Sequence, residues 1–505
     1  MPASVASRWL VLVGGLGQCA GMTQTVELPL WAFVLILLFA AVTFASHFLF
    51  PSVRWFFRRR LERAVERLNR RLERPIEPFR LARRYDMIQR LIYDPQVAQA
   101  VSDHAMARGI PENVAFEDAR RYAREIVPSF SAFTYFSFAI RAARFLSNSI
   151  YRVQLGSYDE GLLKVIDRDA TVVFVMNHRS NMDYILVTYL AAQRSALSYA
   201  VGEWARVWPL SSLFRAMGAY FIRRKSQTEL YRKVLSTYVR LATRGGVTQA
   251  MFPEGGLSMT GALSPPKHGL LKYIVEGTEA AGKDVVFVPV ALNYDRVLED
   301  KILTRAARAG ERRFRARIGV VLLRGLRQLW LWMTGRYRRF GTAAVTFGRP
   351  LSLSEVPAET GRDQSRDLAS ELMRRIGEVV PVLPVPMVCY LLCTRGTMSE
   401  AALVHALTET TARMPLARIH MPAHGHDIAV QGAVQHLRRR GLVRLTAGLV
   451  TPEPGARDLL QFYANSLAHL VPAALAPPRA DTPGTAPETP GNAAAAKGNS
   501  ASAGS

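Results

Sequence analysis

The sequence predicts an α/β protein: a sheet flanked by helices, preceded by one transmembrane helix and bounded by helical N- and C-terminal regions. Three observations carry this. From about residue 150 to 355, short β-branched apolar runs alternate with amphipathic stretches. Polar blocks follow the strand candidates directly, as ligand-binding turns do at the carboxyl ends of strands in open α/β sheets. Leu30–Phe50 is an unbroken apolar run whose only ionisable residue is His47, and a bilayer core needs about 20 such residues.

The bulk numbers set limits. At 505 residues the chain can bury a sizeable core and hold more than one structural unit. A net charge of +25 points to a polyanionic partner: nucleic acid, an anionic membrane surface or a phosphorylated small molecule. Three cysteines make no disulfide framework, and Cys389 and Cys393 sit in an apolar run as core residues. The composition fits a reducing compartment and calls for no metal.

Taken in order, residues 1–29 are apolar and glycine-rich, and Met22 is a second candidate start. Gly15–Ala20 (GLGQCA) fits a loose dinucleotide fingerprint, but no βαβ unit follows it. Residues 30–50 form the predicted span. Arg54, Arg58, Arg59, Arg60 and Arg63 crowd the flank after it, against a single Glu27 before it. The positive-inside rule then places everything after residue 51 in the cytoplasm.

Residues 54–150 carry Arg and Glu at helical spacing, broken by Pro111 and Pro128, and read as several membrane-associated helices. Residues 151–355 hold the sheet, with strand candidates Thr171–Met176, Leu197–Val201, Ala219–Ile222, Thr248–Phe252, Val285–Ala291 and Ala343–Phe347. Helices are expected at Thr228–Thr243 and Leu270–Ala280. The Arg-dense segment 306–339 reads as an insertion lying on the membrane surface; no recognition fold accompanies it, so a nucleic-acid partner is not expected. Residues 356–470 read as a C-terminal helical region, with a basic helix at Asp427–Gly441. Residues 471–505, built of Ala, Pro, Gly, Ser and Thr, are expected to be disordered.

The chemistry centres on Thr171–Tyr189, where a buried strand runs through a polar elbow into a helix. His178 and Asp183 stand at that elbow. A carboxylate can fix the tautomer of a neighbouring imidazole and stabilise the imidazolium, which makes the ring a general base toward a hydroxyl. A spacing of five works only with His178 in the turn and Asp183 in the first helical turn. His-x4-Asp by itself is common; its company gives it weight. No G-x-S-x-G elbow is present, which argues against a serine hydrolase. Arg223 and Arg224 end a strand and offer forked donors for a phosphate, with Arg179 and Lys267 as further candidates. Gly255 and Gly256 allow a ligand close to the backbone.

The blocks HRSNMDY (His178–Tyr184), GAYFIRR (Gly218–Arg224), FPEGGLSMTG (Phe252–Gly261) and VPVALNYDRV (Val288–Val297), in this order, resemble the glycerol-3-phosphate acyltransferase family. HRSNMDY and IRR are closer to its glycerol phosphate and dihydroxyacetone phosphate branch than to its lysophosphatidate branch. With FYANSLAHL (Phe462–Leu470) the resemblance covers most of residues 60–470. It implies an acyltransferase-type sheet, with His178 and Asp183 catalytic. It also implies an acceptor-binding block containing Glu254, Gly255, Gly256 and Ser258, and Pro289 near the acyl thioester. The glycerol phosphate branch usually reads EGGRSR, whereas Leu257 and Met259 stand here where the two arginines would.

The resemblance therefore implies a bacterial, inner-membrane acyltransferase without cofactor. It would move a fatty acyl group from acyl-CoA or acyl carrier protein to the sn-1 hydroxyl of glycerol 3-phosphate, in contact with membrane lipids. The missing arginines keep other acceptors open: dihydroxyacetone phosphate, a lysophospholipid or another membrane alcohol. A rival of another class is a catalytically silent membrane-surface binding protein on the same scaffold.

Overall fold

The computed structural model describes residues 29–40, 59–60, 63, 65–70, 72, 74–156, 166–191, 196–202, 210–223, 228–278, 282–310, 334, 339–357, 363–415, 418–421 and 425–471. The chain divides into two units, Met1–Arg71 and Leu72–Ser505. In the first, residues 30–40 are helical and their apolar side chains face outward. The rest of the expected span, 41–50, lies outside the described residues, as do 1–28. No described helix is long and apolar enough to cross a membrane.

The second unit opens with a helical layer: α1 (Arg84–Ile92), α2 (Pro95–Arg108) and α3 (Glu112–Ile126), then a π-turn at Thr134–Ala139 running into α4 (Ile140–Ile150). The breaks follow the sequence. Asp94 caps α2 by accepting from the Gln96 N–H at 3.0 Å, and Gly109 ends it at φ 61°. Pro111 precedes α3 and Pro128 follows it. Arg80 ties this layer to the sheet. Its buried guanidinium donates to the carbonyls of Ala196 and Leu197 and lies over the Phe130 ring at 4.0 Å.

The sheet then alternates with helices: β1 (Arg152–Leu155), β2 (Thr171–Met176), α5 (Met182–Ala191), β3 (Ser198–Gly202), α6 (Leu210–Ala216), β4 (Tyr220–Ile222), α7 (Glu229–Arg244), β5 (Gln249–Met251), α8 (Gly269–Thr278), β6 (Val285–Tyr294), α9 (Asp300–Arg308), β7 (Thr342–Phe347) and β8 (Leu351–Ser352). The strand order is β1-β7-β6-β2-β5-β3-β4, with β8 also on β6. Strands β2 to β6 run parallel, and β7 is antiparallel to β6. Every residue of β2 and β6 is buried, which is why both are largely apolar, valine-rich runs without alternation. All six strand candidates are present, shifted by no more than a few residues at their ends. Most of the expected insertion at 306–339 lies outside the described residues, although α9 covers its start.

The C-terminal region contains α10 (Gln364–Glu378), α11 (Pro384–Arg395), α12 (Glu400–Ala412), α13 (His426–Arg439) and α14 (Arg457–Ala464). It is not purely helical, which corrects the sequence expectation. Met398–Ser399 (β9), Val443–Thr446 (β10) and Leu449–Pro452 (β11) form an antiparallel sheet in the order β10-β11-β9. The β10–β11 hairpin turns on Ala447 and Gly448 at φ 50° and 76°, a left-handed pair without the usual Asn-Gly signature. Strands of four residues or fewer carry too little alternation to stand out beside a helix. The tail expected to be disordered lies outside the described residues from 472 onward.

Candidate active site

The site lies at the carboxyl end of β2, where the chain leaves the sheet as Asn177–Asn181 and re-enters helix at Met182. Asn177 closes this exit. Its side chain donates to the Leu292 carbonyl at 3.0 Å and accepts from the Leu292 N–H at 2.8 Å. A polar residue replaces another apolar one here because β6 runs past the end of β2 and leaves a backbone pair without a strand partner.

His178 Nδ1 lies 2.9 Å from Asp183 Oδ2. The fully buried carboxylate can only accept, so Nδ1 carries the proton and Nε2 presents its lone pair. Among the described residues nothing hydrogen-bonds Nε2. The ring stacks on Phe252 at 4.1 Å between centroids and meets the edge of Tyr184 at 5.3 Å. Asp183 Oδ2 also accepts the backbone N–H groups of Arg179 at 2.7 Å and Ser180 at 3.0 Å, while Oδ1 accepts the Tyr294 hydroxyl. His178 is in the turn and Asp183 is the second residue of α5, the arrangement their spacing demanded.

Two further carboxylates brace the elbow. Glu254, after β5, accepts the His178 N–H at 2.8 Å through one oxygen and the Ser264 N–H at 2.9 Å through the other. Burial raises its pKa above the usual range, and these donors pull it part of the way back. Glu299, after β6, accepts the Ser180 hydroxyl at 2.8 Å and the Asn181 side-chain amide at 3.0 Å. Burial raises it too.

The remaining expected residues fall in several places. Gly255, at φ 67°, makes the turn after β5, and the Lys267 side chain lies where a Cβ would project, at 2.8 Å. Lys267 is exposed and the adjoining Gly256 is partly so, so this ammonium and this bare backbone border the same loop. Ser258 shapes the loop: its N–H donates to the His178 carbonyl at 2.9 Å and its hydroxyl to the Ala262 carbonyl at 2.6 Å. Arg179 is buried. It donates to the Gly261 carbonyl and lies 5.3 Å over the Phe462 ring, and its Nε and one terminal nitrogen have no partner among the described residues. Arg223 forms a two-point ion pair with Glu125 of α3 at 2.9 and 2.7 Å, between the rings of Tyr122 and Tyr231. It ends β4, three strands from β2, about 14 Å at ordinary strand spacing. Arg224 lies outside the described residues. Pro289 sits inside β6 opposite Val175, at the gap where β7 gives way to β8; there its missing N–H breaks no ladder, and its carbonyl accepts from Gly348 at 2.8 Å.

Sequence reasoning missed Tyr294, Glu299 and the role of the C-terminal region. Tyr294 had a signal, being a hydroxyl that with Asn293 ends a strand apolar up to Leu292. Glu299 had none. The C-terminal helix α14 touches the site loops directly. A Cβ on Gly261 would come 1.8 Å from the Phe462 carbonyl oxygen, and Asn465 donates to the Thr260 carbonyl at 2.8 Å. Behind it, Asp300 accepts the Tyr463 hydroxyl at 2.5 Å and a guanidinium N–H of Arg440.

A His–Asp pair of this kind at the end of a parallel strand suits a general base toward a hydroxyl, the arrangement that the resemblance to acyltransferases of the His-x4-Asp type implies. A family model described as Acyltransferase matches residues 161–293, and one described as Glycerol-3-phosphate acyltransferase C-terminal region matches residues 328–476. The chain belongs to the glycerol-3-phosphate acyltransferase family. A protein named glycerol-3-phosphate acyltransferase from Alteromonas mediterranea is 24% identical over 77% of this chain and 50% of its own length. One of the same name from Pseudomonas fluorescens is 28% identical over 78% of this chain and 49% of its own. This chain thus spans about half the length of these curated relatives. The solved 1-acyl-sn-glycerophosphate acyltransferase of Thermotoga maritima is 18% identical at a TM-score of 0.29, over 48% of this chain and 76% of that one, a likeness too slight to bear on the fold.

Proposed function

We propose that the chain transfers a fatty acyl group from acyl-CoA or acyl carrier protein to the sn-1 hydroxyl of glycerol 3-phosphate, giving lysophosphatidate for phospholipid synthesis. The observation that carries this reading is the His178 ring, held by Asp183 through Nδ1 with Nε2 left unpartnered among the described residues. Nε2 takes the proton of the acceptor hydroxyl as its oxygen attacks the thioester carbonyl. The tetrahedral intermediate collapses, the carbon–sulfur bond breaks, and the thiolate leaves and recovers the proton from the imidazolium. No acyl-enzyme and no cofactor take part, since a thiolate leaves readily. Lys267, beside the bare backbone of Gly255 and Gly256, is the described cation best set to meet the acceptor phosphate, with Arg224 and the buried Arg179 as further donors.

In the same reading, Leu30–Phe50 anchors the chain as a single span in a bacterial inner membrane. The arginines after it keep the catalytic unit on the cytoplasmic side, among membrane lipids and soluble acyl thioesters. Leu257 and Met259 favour a second reading of the acceptor, because two apolar side chains offer a phosphate nothing. On that reading the same chemistry serves dihydroxyacetone phosphate, a lysophospholipid or another membrane alcohol.

The test is a panel of acceptors on membranes containing the full chain, with labelled acyl-CoA and acyl carrier protein as donors. Label in lysophosphatidate with glycerol 3-phosphate alone supports the first reading. Label carried by another acceptor replaces it with the second. No transfer to any acceptor from either donor refutes both and leaves a binding protein.

A further inference from the structure

Asp183 is loaded unevenly. Oδ2 serves three donors, the His178 ring and the N–H groups of Arg179 and Ser180, whereas Oδ1 has one, the hydroxyl of Tyr294. That hydroxyl comes from another element, 111 residues away in sequence. Tyr294 is the last residue of β6, fixed by its register against Ala343 of β7. Its ring is fully buried and packs against Tyr151 at 5.3 Å between centroids. Tyr151 in turn donates to the Arg296 carbonyl at 2.7 Å. The phenol therefore cannot swing away without disturbing the sheet end, and no other donor to Oδ1 is found among the described residues.

We infer that Tyr294 is a positioning residue that completes a His178–Asp183–Tyr294 unit and sets the basicity of His178 through the carboxylate. The inference rests on the acyl-transfer reading above. A hydrogen bond to Oδ1 draws negative charge away from Oδ2, so Asp183 stabilises the His178 imidazolium less than a bare carboxylate would. Removing the hydroxyl leaves a buried carboxylate oxygen unsatisfied and concentrates its charge toward His178. The imidazolium is then favoured, and the pair titrates at higher pH. Burial, with Asp183 beside it, holds the phenol pKa well above its ordinary value, so Tyr294 stays a donor throughout the working range. Other groups face the unit from each neighbouring element: Arg179 in the elbow, Glu254 after β5, Arg296 and Glu299 after β6, Tyr151 after α4 and Tyr463 on α14. None of these touches Oδ1.

The experiment measures kcat/KM against pH for acyl transfer to glycerol 3-phosphate, on membranes containing the full chain, for wild type and Tyr294→Phe. The acid limb moves to higher pH by half a unit or more in the variant, kcat at the optimum falls at least tenfold, and the acceptor KM stays within twofold. In an Asp183→Asn background the same change costs less than twofold, because the carboxylate through which Tyr294 acts is gone. If Tyr294→Phe does not fold, 3,5-difluorotyrosine at position 294 keeps the shape and donates more strongly, and the acid limb moves down instead. An unmoved limb with either replacement, or full additivity with Asp183→Asn, overturns the inference. Absence of transfer by the wild type would refute the functional reading instead, and it is read in the same assay before any variant.

Discussion

The backbone N–H of His178 donates to one oxygen of Glu254 at 2.8 Å, while the other oxygen holds the N–H of Ser264 at 2.9 Å. One side chain thereby fastens the histidine elbow to the glycine loop after β5. Each oxygen of this buried carboxylate is engaged by a backbone donor, and its charge would repel a phosphate. Glu254 thus acts on the site through geometry.

Glu254→Ala leaves one buried and one half-buried N–H group without their acceptor and should cost about 2–3 kcal/mol of stability. Turnover should fall at least tenfold. Glu254→Gln, which keeps one acceptor, should fall between the variant and the wild type. Thermal midpoints and initial rates check both. A Glu254→Ala variant with full stability and only a raised acceptor KM would show that the carboxylate contacts substrate.

Arg223 should behave as a structural residue. Removing it or Glu125 breaks a half-buried two-point pair, with an expected loss of about 3 kcal/mol. The acceptor KM should change less than threefold. A steep rise in that KM, without loss of stability, would put Arg223 on the phosphate.

Gly261→Ala places a methyl group 1.8 Å from the Phe462 carbonyl oxygen, at a backbone φ of 85°. The loop and α14 must separate. A cost of about 2 kcal/mol is expected from the strained backbone alone, and turnover should drop more than tenfold as the elbow loses its brace. Wild-type rates in a stable variant would mean that the C-terminal region does not hold the site together.

Asp295 lies next to Tyr294 and accepts the N–H of Thr342 at 2.8 Å and of Val385 at 3.2 Å. Burial raises its carboxyl to about 6, outweighing those donors. A raised acid favours folding while protonated. Its contribution is complete below about 4, the unfolded value, and is lost as pH rises through about 6. Asp295→Asn removes that loss, so its thermal midpoint relative to wild type should climb between about pH 4 and 6. A constant difference across that range would contradict the assignment.

Much of this architecture was readable in the sequence because its signals are local. Thr171–Met176 and Val285–Tyr294 are buried on both faces, and their valine-rich, largely apolar runs without alternation report that directly. His178 and Asp183 lie within one elbow, so their spacing encodes their contact. Tyr294, Glu299 and Phe462 reach the same elbow from positions more than a hundred residues away; the pairing of β6 with β2 brings the first two there, and the packing of α14 brings Phe462. Arg223 is the converse case. Its place after a strand suggested a ligand, but β4 is an edge strand beside α3, where Glu125 engages it.

The most direct test concerns His178 itself. Membranes bearing the full chain or its His178→Ala variant would be given labelled acyl-CoA and glycerol 3-phosphate, and lysophosphatidate formation followed. Loss of a positioned general base is worth about 10²–10⁴ in rate, so the variant should lose at least a hundredfold while still sedimenting with the membrane. Turnover surviving in His178→Ala at near wild-type rates would contradict the assignment of His178 as the base on which the proposed acyl transfer depends.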